Sequence, residues 1–300
     1  MKLLVIGSKG FIGCHAAVHF LAKGDTVIGY DLGEADGSEQ YNYYSQSEGE
    51  QTLYKIFKQY LPDACINAGG NGSVPLSIND PGADFIANVL FHSVILELIR
   101  KHQPGCKYVH LSSAAVYGNP QQLPIDENIP VKPLSPYGWH KYQAEILCRE
   151  YAVLFEIRTI SLRVFSVYGP GLRKQLFWDS YQKSIQNDTI RLFGTGGESR
   201  DFIYISDLIE AIDTILENAL MKGQVINVSS GIETTIAEAI EIFIKLLRNN
   251  NIIEFTNQEN PGNPLNWRAD VKVLTSLGFT AKTDLYQGLN STVKWLKENA

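Results

Sequence analysis

The sequence contains little cysteine, no excess of positive charge and no long apolar run. Its four cysteines are Cys14, Cys65, Cys106 and Cys148. They lack the paired spacing of a disulfide framework, and we expect reduced thiols in a cytoplasmic protein. The net charge of −6 gives no reason to expect a nucleic acid or an acidic membrane as partner. No apolar run reaches the roughly 18–20 residues of a membrane span, so we expect no membrane association.

Histidine is also sparse, with six residues in the chain of 300. His15 and His19 are four residues apart and could share one face of a helix. No nearby carboxylate or thiol is an obvious third ligand, and we therefore expect no metal site.

The first half of the sequence alternates short apolar runs with amphipathic stretches. This pattern is typical of parallel βαβ units and predicts an α/β fold, a Rossmann-type doubly wound parallel sheet. After Gly169 the alternation loosens. We predict a first domain over residues 1–167, to whose sheet later strands could return, and a smaller C-terminal α/β domain over residues 168–300. The polar stretch 36–49 is predicted to be a surface loop.

A glycine loop follows the first predicted strand and opens the first predicted helix. Its sequence is Gly7-Ser8-Lys9-Gly10-Phe11-Ile12-Gly13. Gly7 permits a tight turn, Gly10 lets backbone N–H groups approach phosphates, and Gly13 lets the helix pack closely on the sheet. The helix N-terminus adds a partial positive charge. The loop therefore predicts a dinucleotide site, although the spacing GxxGxxG departs from GxGxxG.

An acidic residue at the end of the second predicted strand bears on the choice of cofactor. Asp31 lies 18 residues beyond Gly13, and Leu32-Gly33-Glu34 follows it without Arg or Lys. A carboxylate there accepts hydrogen bonds from a ribose 2′-hydroxyl and repels a 2′-phosphate. NAD is therefore favoured over NADP, unless Asp31 merely caps a loop.

Tyr137 and Lys141 are spaced by four residues, which places them on one face of a predicted helix. A free phenol titrates near ~10, so its use as a base at pH 7 requires about 4 kcal/mol. One ammonium at ~4 Å and an effective dielectric constant of ~20 supplies about that much. The pair indicates hydride transfer to or from a nicotinamide cofactor, whereas a surface helix could carry both residues by chance.

With the small hydroxyls Ser112 and Ser113 at the end of a central strand, the chain resembles the extended short-chain dehydrogenase/reductases, in particular the NAD-dependent nucleotide-sugar epimerase/dehydratase family. The further segments that carry the resemblance are Asn67-Ala68-Gly69-Gly70, Asp80-Pro81, Asn88-Val89, residues 110–118, Ser135-Pro136, residues 163–171, Gly194-Thr195-Gly196, residues 200–204, Asp270, residues 277–279, Gly288-Leu289 and Trp295.

The resemblance implies a role for each matching residue. Tyr137 is the acid/base, Lys141 holds the nicotinamide ribose and lowers the pKa of the phenol, and Ser113 hydrogen-bonds the reacting sugar oxygen. The expected NAD contacts are Gly7, Gly10, Phe11, Ile12, Gly13, Asp31, Leu32, Ala68, Gly69, Asn88, Ser112, Tyr137, Lys141 and Phe165. The expected contacts of a nucleotide-diphosphate sugar are Ser113, Ser166, Arg173, Arg200 and Arg268.

The resemblance also implies an NAD-binding first domain, a nucleotide-sugar-binding second domain, and a homodimer formed through the helices at 84–101 and 137–155. Ala114 and Ala115 stand where the family's dehydratases carry an acidic pair, which disfavours 4,6-dehydration. Ser166 replaces the family's usual asparagine. We expect a 4-epimerase that works through a transient 4-keto sugar. The alternatives are an NAD(P)H-dependent reductase of a nucleotide 4-keto-6-deoxy sugar and a non-catalytic dinucleotide-binding regulator. The nucleotide and the sugar stay open.

Overall fold

The structure is a computed structural model that describes residues 1–35, 37, 39–49, 51–258 and 264–299. The chain forms two compact units. The first comprises Met1–Gly118, Pro130–Val164 and Ile212–Ile226, and the second comprises Asn119–Ile129, Phe165–Ala211 and Asn227–Ala300. The domain boundary at residue 167 stays a prediction.

The first unit is built on a seven-stranded sheet. In chain order its strands are β1 (Lys2–Ile6), β2 (Thr26–Asp31), β3 (Asn42–Ser45), β4 (Ala64–Asn67), β5 (Lys107–Ser113), β6 (Thr159–Val164) and the later β10 (Gln224–Val228). Their spatial order is β10-β6-β5-β4-β1-β2-β3, and β1 to β6 pair in parallel. The strand order reverses between β1 and β4, which is where Rossmann sheets open a ligand crevice at their carboxyl ends. The predicted fold class is confirmed.

Helices connect these strands. They are α1 (Phe11–Ala22), α2 (Thr52–Tyr60), α3 (Val74–Asn79), α4 (Pro81–Phe85), α5 (Phe91–His102), α6 (Pro136–Phe155) and, partly in this unit, α8 (Ile205–Asn218). The π-helical turn Ile86–Leu90 joins α4 to α5. Ile95, Leu96 and Ile99 of α5 pack with Ile6 and Ile28 of the sheet in an apolar core.

The second unit has two small sheets. Strands β7 (Ser166–Tyr168), β9 (Ser199–Tyr204) and β11 (Glu233–Thr235) form one, in the order β11-β9-β7, and β8 (Thr189–Leu192) pairs with β12 (Ile252–Phe255) in the other. The remaining helices are α7 (Gln175–Gln186), α9 (Ile236–Leu247), α10 (Lys272–Ser276) and α11 (Leu285–Asn299). Tyr168, Phe177 and Phe243 belong to its apolar core.

The stretch 36–49 was predicted to be a loop, and this prediction is wrong for residues 42–45. Strand β3 lies there and extends the sheet beyond β2, with Asn42 paired to Ile28 and Ser45 to Asp31. An edge strand of four residues has too few alternating apolar and polar positions to be recognised between polar neighbouring segments. Residues 36 and 38 lie outside the described part of the chain.

The helical run Pro81–His102 is long and apolar enough, by length and composition alone, to cross a membrane, with a mean hydropathy of 1.5. The run does not stand out in the sequence because the polar residues Asp84 and Asn88 interrupt the apolar pattern. The core helix of a soluble protein passes the same test. Here Ile95 and Ile99 are completely buried in the core, so the run is weak evidence for a membrane span.

Candidate active site

The glycine loop closes tightly on itself between β1 and α1. Gly7 adopts a left-handed φ of +76°, and the N–H of Gly10 donates to the Gly7 carbonyl at 2.9 Å. A Cβ on Gly13 would lie 2.0 Å from that same carbonyl oxygen. Gly10 is also the N-cap of α1 and offers no side chain to the first-turn N–H groups. The loop therefore presents backbone donors and a helix N-terminus, which fits the pyrophosphate of NAD.

Asp31 lies at the carboxyl end of β2, beside this loop. Its carboxylate accepts the N–H of Lys9 at 2.8 Å and that of Leu32 at 2.6 Å. The Lys9 ammonium is paired with Glu39 at 2.8 Å and lies 4.7 Å from the centre of the Tyr43 ring. The sequence did not predict a cation beside Asp31, because Lys9 lies 22 residues before it. The charge of Lys9 is already neutralised by Glu39, so it provides no free cation for a 2′-phosphate. The position of Asp31 therefore remains suited to a ribose hydroxyl.

The segment after β4 is held close to the glycine loop. A Cβ on Gly7 would lie 2.7 Å from the backbone nitrogen of Gly69. The N–H of Gly69 donates to the side-chain oxygen of buried Asn67 at 3.1 Å, and the Asn67 amide donates to Tyr108 at 2.9 Å. This wall of the crevice carries the predicted cofactor contacts Ala68 and Gly69.

Asn88, another predicted cofactor contact, is completely buried. Its amide nitrogen donates to the Asn71 carbonyl and to Asp84, both at 3.1 Å. Its Oδ1 has no hydrogen-bond partner among the residues that the structure describes. A buried acceptor without a partner costs about 1–3 kcal/mol, so a donor from a ligand or water is expected to satisfy it.

Ser113, Tyr137 and Lys141 come together at the carboxyl end of β5. Ser113 hydrogen-bonds the Tyr137 phenol. The Lys141 ammonium lies 5.8 Å from the centre of the Tyr137 ring and donates to the Leu111 carbonyl at 3.0 Å. The N–H of Tyr137 donates to Ser77 at 3.1 Å, which fixes the first turn of α6.

Ser112 points to the opposite face of β5, as alternation along a strand requires. Its hydroxyl donates to Glu145 at 2.6 Å. Glu145 forms a buried ion pair with Arg163 at 2.8 Å, and Arg163 also donates to Tyr117 at 2.9 Å. The structure thus gives the Ser112 side chain a structural partner, and its contact with a cofactor stays a prediction.

The electrostatics of the site are dominated by burial. Burial raises the pKa of Tyr137, the hydrogen bond from Ser113 lowers it, and the charge of Asp84 raises it. Burial lowers the pKa of Lys141 to about 8, against the opposing effect of Asp84. In the protein alone the pKa of Tyr137 is therefore raised, whereas the sequence predicted that Lys141 would lower it.

Arg200, a predicted substrate contact in the second unit, lies against an aromatic residue, Trp267, that the sequence did not single out. The Arg200 guanidinium lies 5.5 Å from the Trp267 ring centre and donates to the Ser199 carbonyl at 2.7 Å. Burial lowers the pKa of Arg200 to about 10. Arg268 follows Trp267 directly and donates to the Gly231 carbonyl at 3.2 Å. Trp267 was not predicted because a lone tryptophan has no sequence signature.

The other predicted contacts of the second unit lie on β7 and near α11. Phe165 packs edge-on against Trp267, with ring centres 5.9 Å apart, and the following Ser166 pairs with Phe202 of β9. Arg173 lies 5.4 Å from the Trp295 ring centre and donates to the Asn299 carbonyl at 2.7 Å. The structure brings Phe165 and Arg200 to the same tryptophan, and it places Arg173 against the C-terminal helix.

His15 and His19 have separate partners. His15 hydrogen-bonds the Phe11 carbonyl at 2.8 Å, and His19 contacts Asp213 at 2.9 Å. Within the described part of the chain no group of three or more His, Cys, Asp or Glu side chains is arranged to hold a metal ion.

Known proteins resemble this chain over its whole length. The model of the NAD dependent epimerase/dehydratase family matches residues 3–229. A UDP-glucuronate 4-epimerase of Thermodesulfobacterium geofontis is 30% identical over 99% of this chain and 96% of its own length. A Bacillus cereus UDP-glucuronic acid 4-epimerase, solved with UDP-glucuronic acid and NAD, is 26% identical over 100% of both chains, with a TM-score of 0.91. A Thermotoga maritima UDP-glucose 4-epimerase, solved with UDP-glucose, is 25% identical over 99% of both chains, also with a TM-score of 0.91.

Proposed function

The chain belongs to the NAD-dependent epimerase/dehydratase family, and from that premise we propose that it is an NAD-dependent 4-epimerase of a UDP-sugar. The observation that carries the proposal is the convergence of Ser113, Tyr137 and Lys141 at the carboxyl end of β5, in a chain similar throughout to UDP-sugar 4-epimerases. These relatives do not favour the reductase alternative, and the complete Tyr-Lys pair does not favour a non-catalytic regulator.

We propose that Tyr137 takes the proton of the sugar C4 hydroxyl and later returns it, with Ser113 hydrogen-bonded to the same sugar oxygen. Lys141 holds the nicotinamide ribose and supplies positive charge near the phenol. NAD, held by the glycine loop and Lys141, would supply the hydride acceptor and donor for C4 and the positive charge of its oxidised ring. Because burial raises the pKa of Tyr137, those two positive charges are what make the phenol a usable base. Positioned proton transfer of this kind contributes about 10²–10⁴-fold.

The neighbourhood of Ser113 does not favour dehydration. Ala114 is completely buried, and the N–H of Ala115 donates to the Ser113 hydroxyl at 3.1 Å. Neither side chain can protonate a leaving hydroxyl at C6. The keto sugar is therefore expected to be reduced again at C4 and released as the epimer.

The test is to incubate the purified protein with UDP-glucose, UDP-glucuronate and their N-acetylated and 4-keto-6-deoxy relatives, with and without added NADH. Nuclear magnetic resonance identifies the configuration at C4, and near-ultraviolet absorbance follows NADH. We expect interconversion of C4 epimers without net consumption of NADH. Stoichiometric NADH oxidation by a 4-keto-6-deoxy sugar would establish the reductase instead.

The pH dependence of the reaction tests the role of Lys141. Its pKa of about 8 means that the ammonium loses its proton above that pH. We expect kcat/KM, which reports groups of the free enzyme, to fall as the pH rises past about 8. The variant Lys141→Arg keeps its charge throughout, and its slower reaction is expected to lose this alkaline limb. A wild-type rate that still rises at pH 10 contradicts the assignment.

We further propose that the protein is a homodimer. In support, the helical run Pro81–His102 and helix α6 expose large apolar side chains, including Ile86 (58% exposed), Leu90 (49%), Ile146 (49%) and Val153 (67%). Exposed apolar patches of this kind mark protein interfaces. We expect Leu90→Asp to shift the sedimentation equilibrium from dimer to monomer, and Ile185→Asp, at an exposed position of α7 (57%), to leave it unchanged. A wild-type monomer at micromolar concentration contradicts the proposal.

We also propose that the first unit binds NAD, that the second binds the nucleotide sugar, and that the enzyme serves carbohydrate biosynthesis in the cytoplasm. All four cysteines are unpaired, which supports a reducing compartment. Cell fractionation and the sugar composition of a deletion strain test the last two points.

A further inference from the structure

Asp84 is a buried carboxylate in α4 with three hydrogen-bond partners. Its side chain is completely buried. Oδ1 accepts from the side-chain amides of Asn71 at 2.7 Å and Asn88 at 3.1 Å. Oδ2 contacts Nδ1 of His140 at 2.6 Å, and the His140 side chain is 12% exposed. All of these residues belong to the first unit.

These partners lie on three different segments. Asn71 belongs to the segment after β4 that carries Ala68 and Gly69, and Asn88 carries the buried acceptor without a partner. His140 lies in the first turns of α6, three residues after Tyr137 and directly before Lys141. Phe85 packs edge-on against the His140 ring, with centres 5.5 Å apart. One carboxylate therefore joins the cofactor wall to the helix that carries both proposed catalytic side chains.

The charge of Asp84 acts on the same two side chains. It raises the pKa of both Tyr137 and Lys141, in each case as a smaller effect than burial. The other titratable groups that face this region are His140 on α6, His92 on α5 and His110 on β5. Burial lowers the pKa of His92 and His110 far below its usual range, so both are neutral. Asp80, the N-cap of α4, is exposed.

We propose that Asp84 and His140 form a positioning pair, which holds Tyr137 and Lys141 in register with the loop after β4 and places one negative charge beside them. The imidazole Nδ1–H donates to the carboxylate, and the Asn71 and Asn88 amides fix the carboxylate in turn. This inference rests on the proposed roles of Tyr137 and Lys141. Neither Asp84 nor His140 contacts the sugar in this assignment, so both act through the residues they hold.

Four variants test the pair: Asp84→Asn, His140→Ala, His140→Gln and the double variant Asp84→Asn/His140→Ala. We expect Asp84→Asn and His140→Ala each to lower kcat by roughly 10-fold to 100-fold. Without the pair, Tyr137 and Lys141 are expected to shift, and a misplacement of about 1 Å can cost about 10²-fold in rate. The double variant should be no slower than the slower single variant, since coupled residues are not additive. His140→Gln can still donate to the carboxylate and should recover most of the loss. Glu97→Gln, which breaks an exposed ion pair on α5, is the control and should keep the wild-type rate.

A second measurement does not depend on the substrate. The tyrosinate absorbance of Tyr137 is titrated in each variant, with the matching Tyr137→Phe protein subtracted as the blank. Since Asp84 raises the pKa of Tyr137, Asp84→Asn should move this titration to lower pH, whereas a merely structural role would leave it in place. The dissociation constant of NAD, measured by calorimetry, should rise in Asp84→Asn because the cofactor wall loses its anchor.

The outcomes separate the two proposals. If the wild type epimerises no nucleotide sugar, the proposed function is wrong. The tyrosinate titration of the variants still tests the Asp84–His140 pair in that case. If the variants fold, as thermal unfolding shows, and keep the wild-type rate and titration, the pair is overturned. Losses that multiply in the double variant also overturn it. Should Asp84→Asn fail to fold, the comparison of His140→Ala with His140→Gln decides alone, and equal losses reject the pair.

Discussion

Replacing Tyr137 by Phe is expected to lower turnover by about 10³-fold while NAD affinity stays near that of the wild type. The change removes only the phenolic oxygen, which is the atom that we propose exchanges the C4 proton. The ring and its packing near Lys141 remain. Steady-state turnover and calorimetric titration with NAD measure the two quantities on the same protein.

The matched control for this variant is Tyr142→Phe. Tyr142 lies on the same helix and packs against Trp139, with ring centres 6.5 Å apart, and it has no proposed role in proton transfer. Its loss of a hydroxyl should leave turnover close to the wild-type value. Full activity in Tyr137→Phe would show that Tyr137 is not the acid/base. Loss of NAD binding would instead indicate that the substitution disturbs the folding of the NAD site.

Gly13→Ala is expected to cost stability and cofactor binding together. The new Cβ would lie 2.0 Å from the Gly7 carbonyl oxygen and 2.7 Å from the Gly7 carbonyl carbon. Both are backbone atoms, so the clash is relieved only if α1 or the glycine loop moves. Overpacking of this kind costs about 1–3 kcal/mol of unfolding free energy. Movement of the loop should raise the dissociation constant of NAD by about tenfold or more, and tenfold is equivalent to about 1.4 kcal/mol.

Gly105→Ala provides the comparison for that variant. Its Cβ would approach only a terminal nitrogen of the Arg158 side chain, at 3.8 Å, which is ordinary van der Waals contact. We expect its unfolding midpoint in denaturant and its NAD affinity to match the wild type. If Gly13→Ala behaves like this control, the glycine loop is not packed as the structure shows.

Local patterns made much of the first unit predictable. A strand, a glycine turn and a helix are consecutive in sequence, and Tyr137 and Lys141 are one helical turn apart. Parallel strands also place their carboxyl ends at one edge, so Asp31 and Ser113 could be assigned to the same crevice side. Strand β3 and the short strands of the second unit were harder, because three or four residues give little alternation to recognise.

The side chains that organise the candidate site were not predictable in the same way. Asp84 and His140 are 56 residues apart and meet only after α4 packs near α6. Lys9 and Glu39 are brought together by the β1-β2-β3 arrangement, which places the loops after β1 and β2 side by side. Single-sequence patterns report neighbours along the chain, whereas these contacts depend on tertiary packing.

Strand β10 comes late in the chain and pairs at the edge of the large sheet, beside β6. No single cut of the chain therefore separates the two units. A fragment that stops after β6 lacks the strand that covers it, and all six residues of β6 are buried in the intact protein. Such a fragment would present an apolar, unpaired strand edge to other chains, which invites aggregation. Exchange of the second unit between relatives would therefore need five junctions, one at each point where the chain passes from one unit to the other.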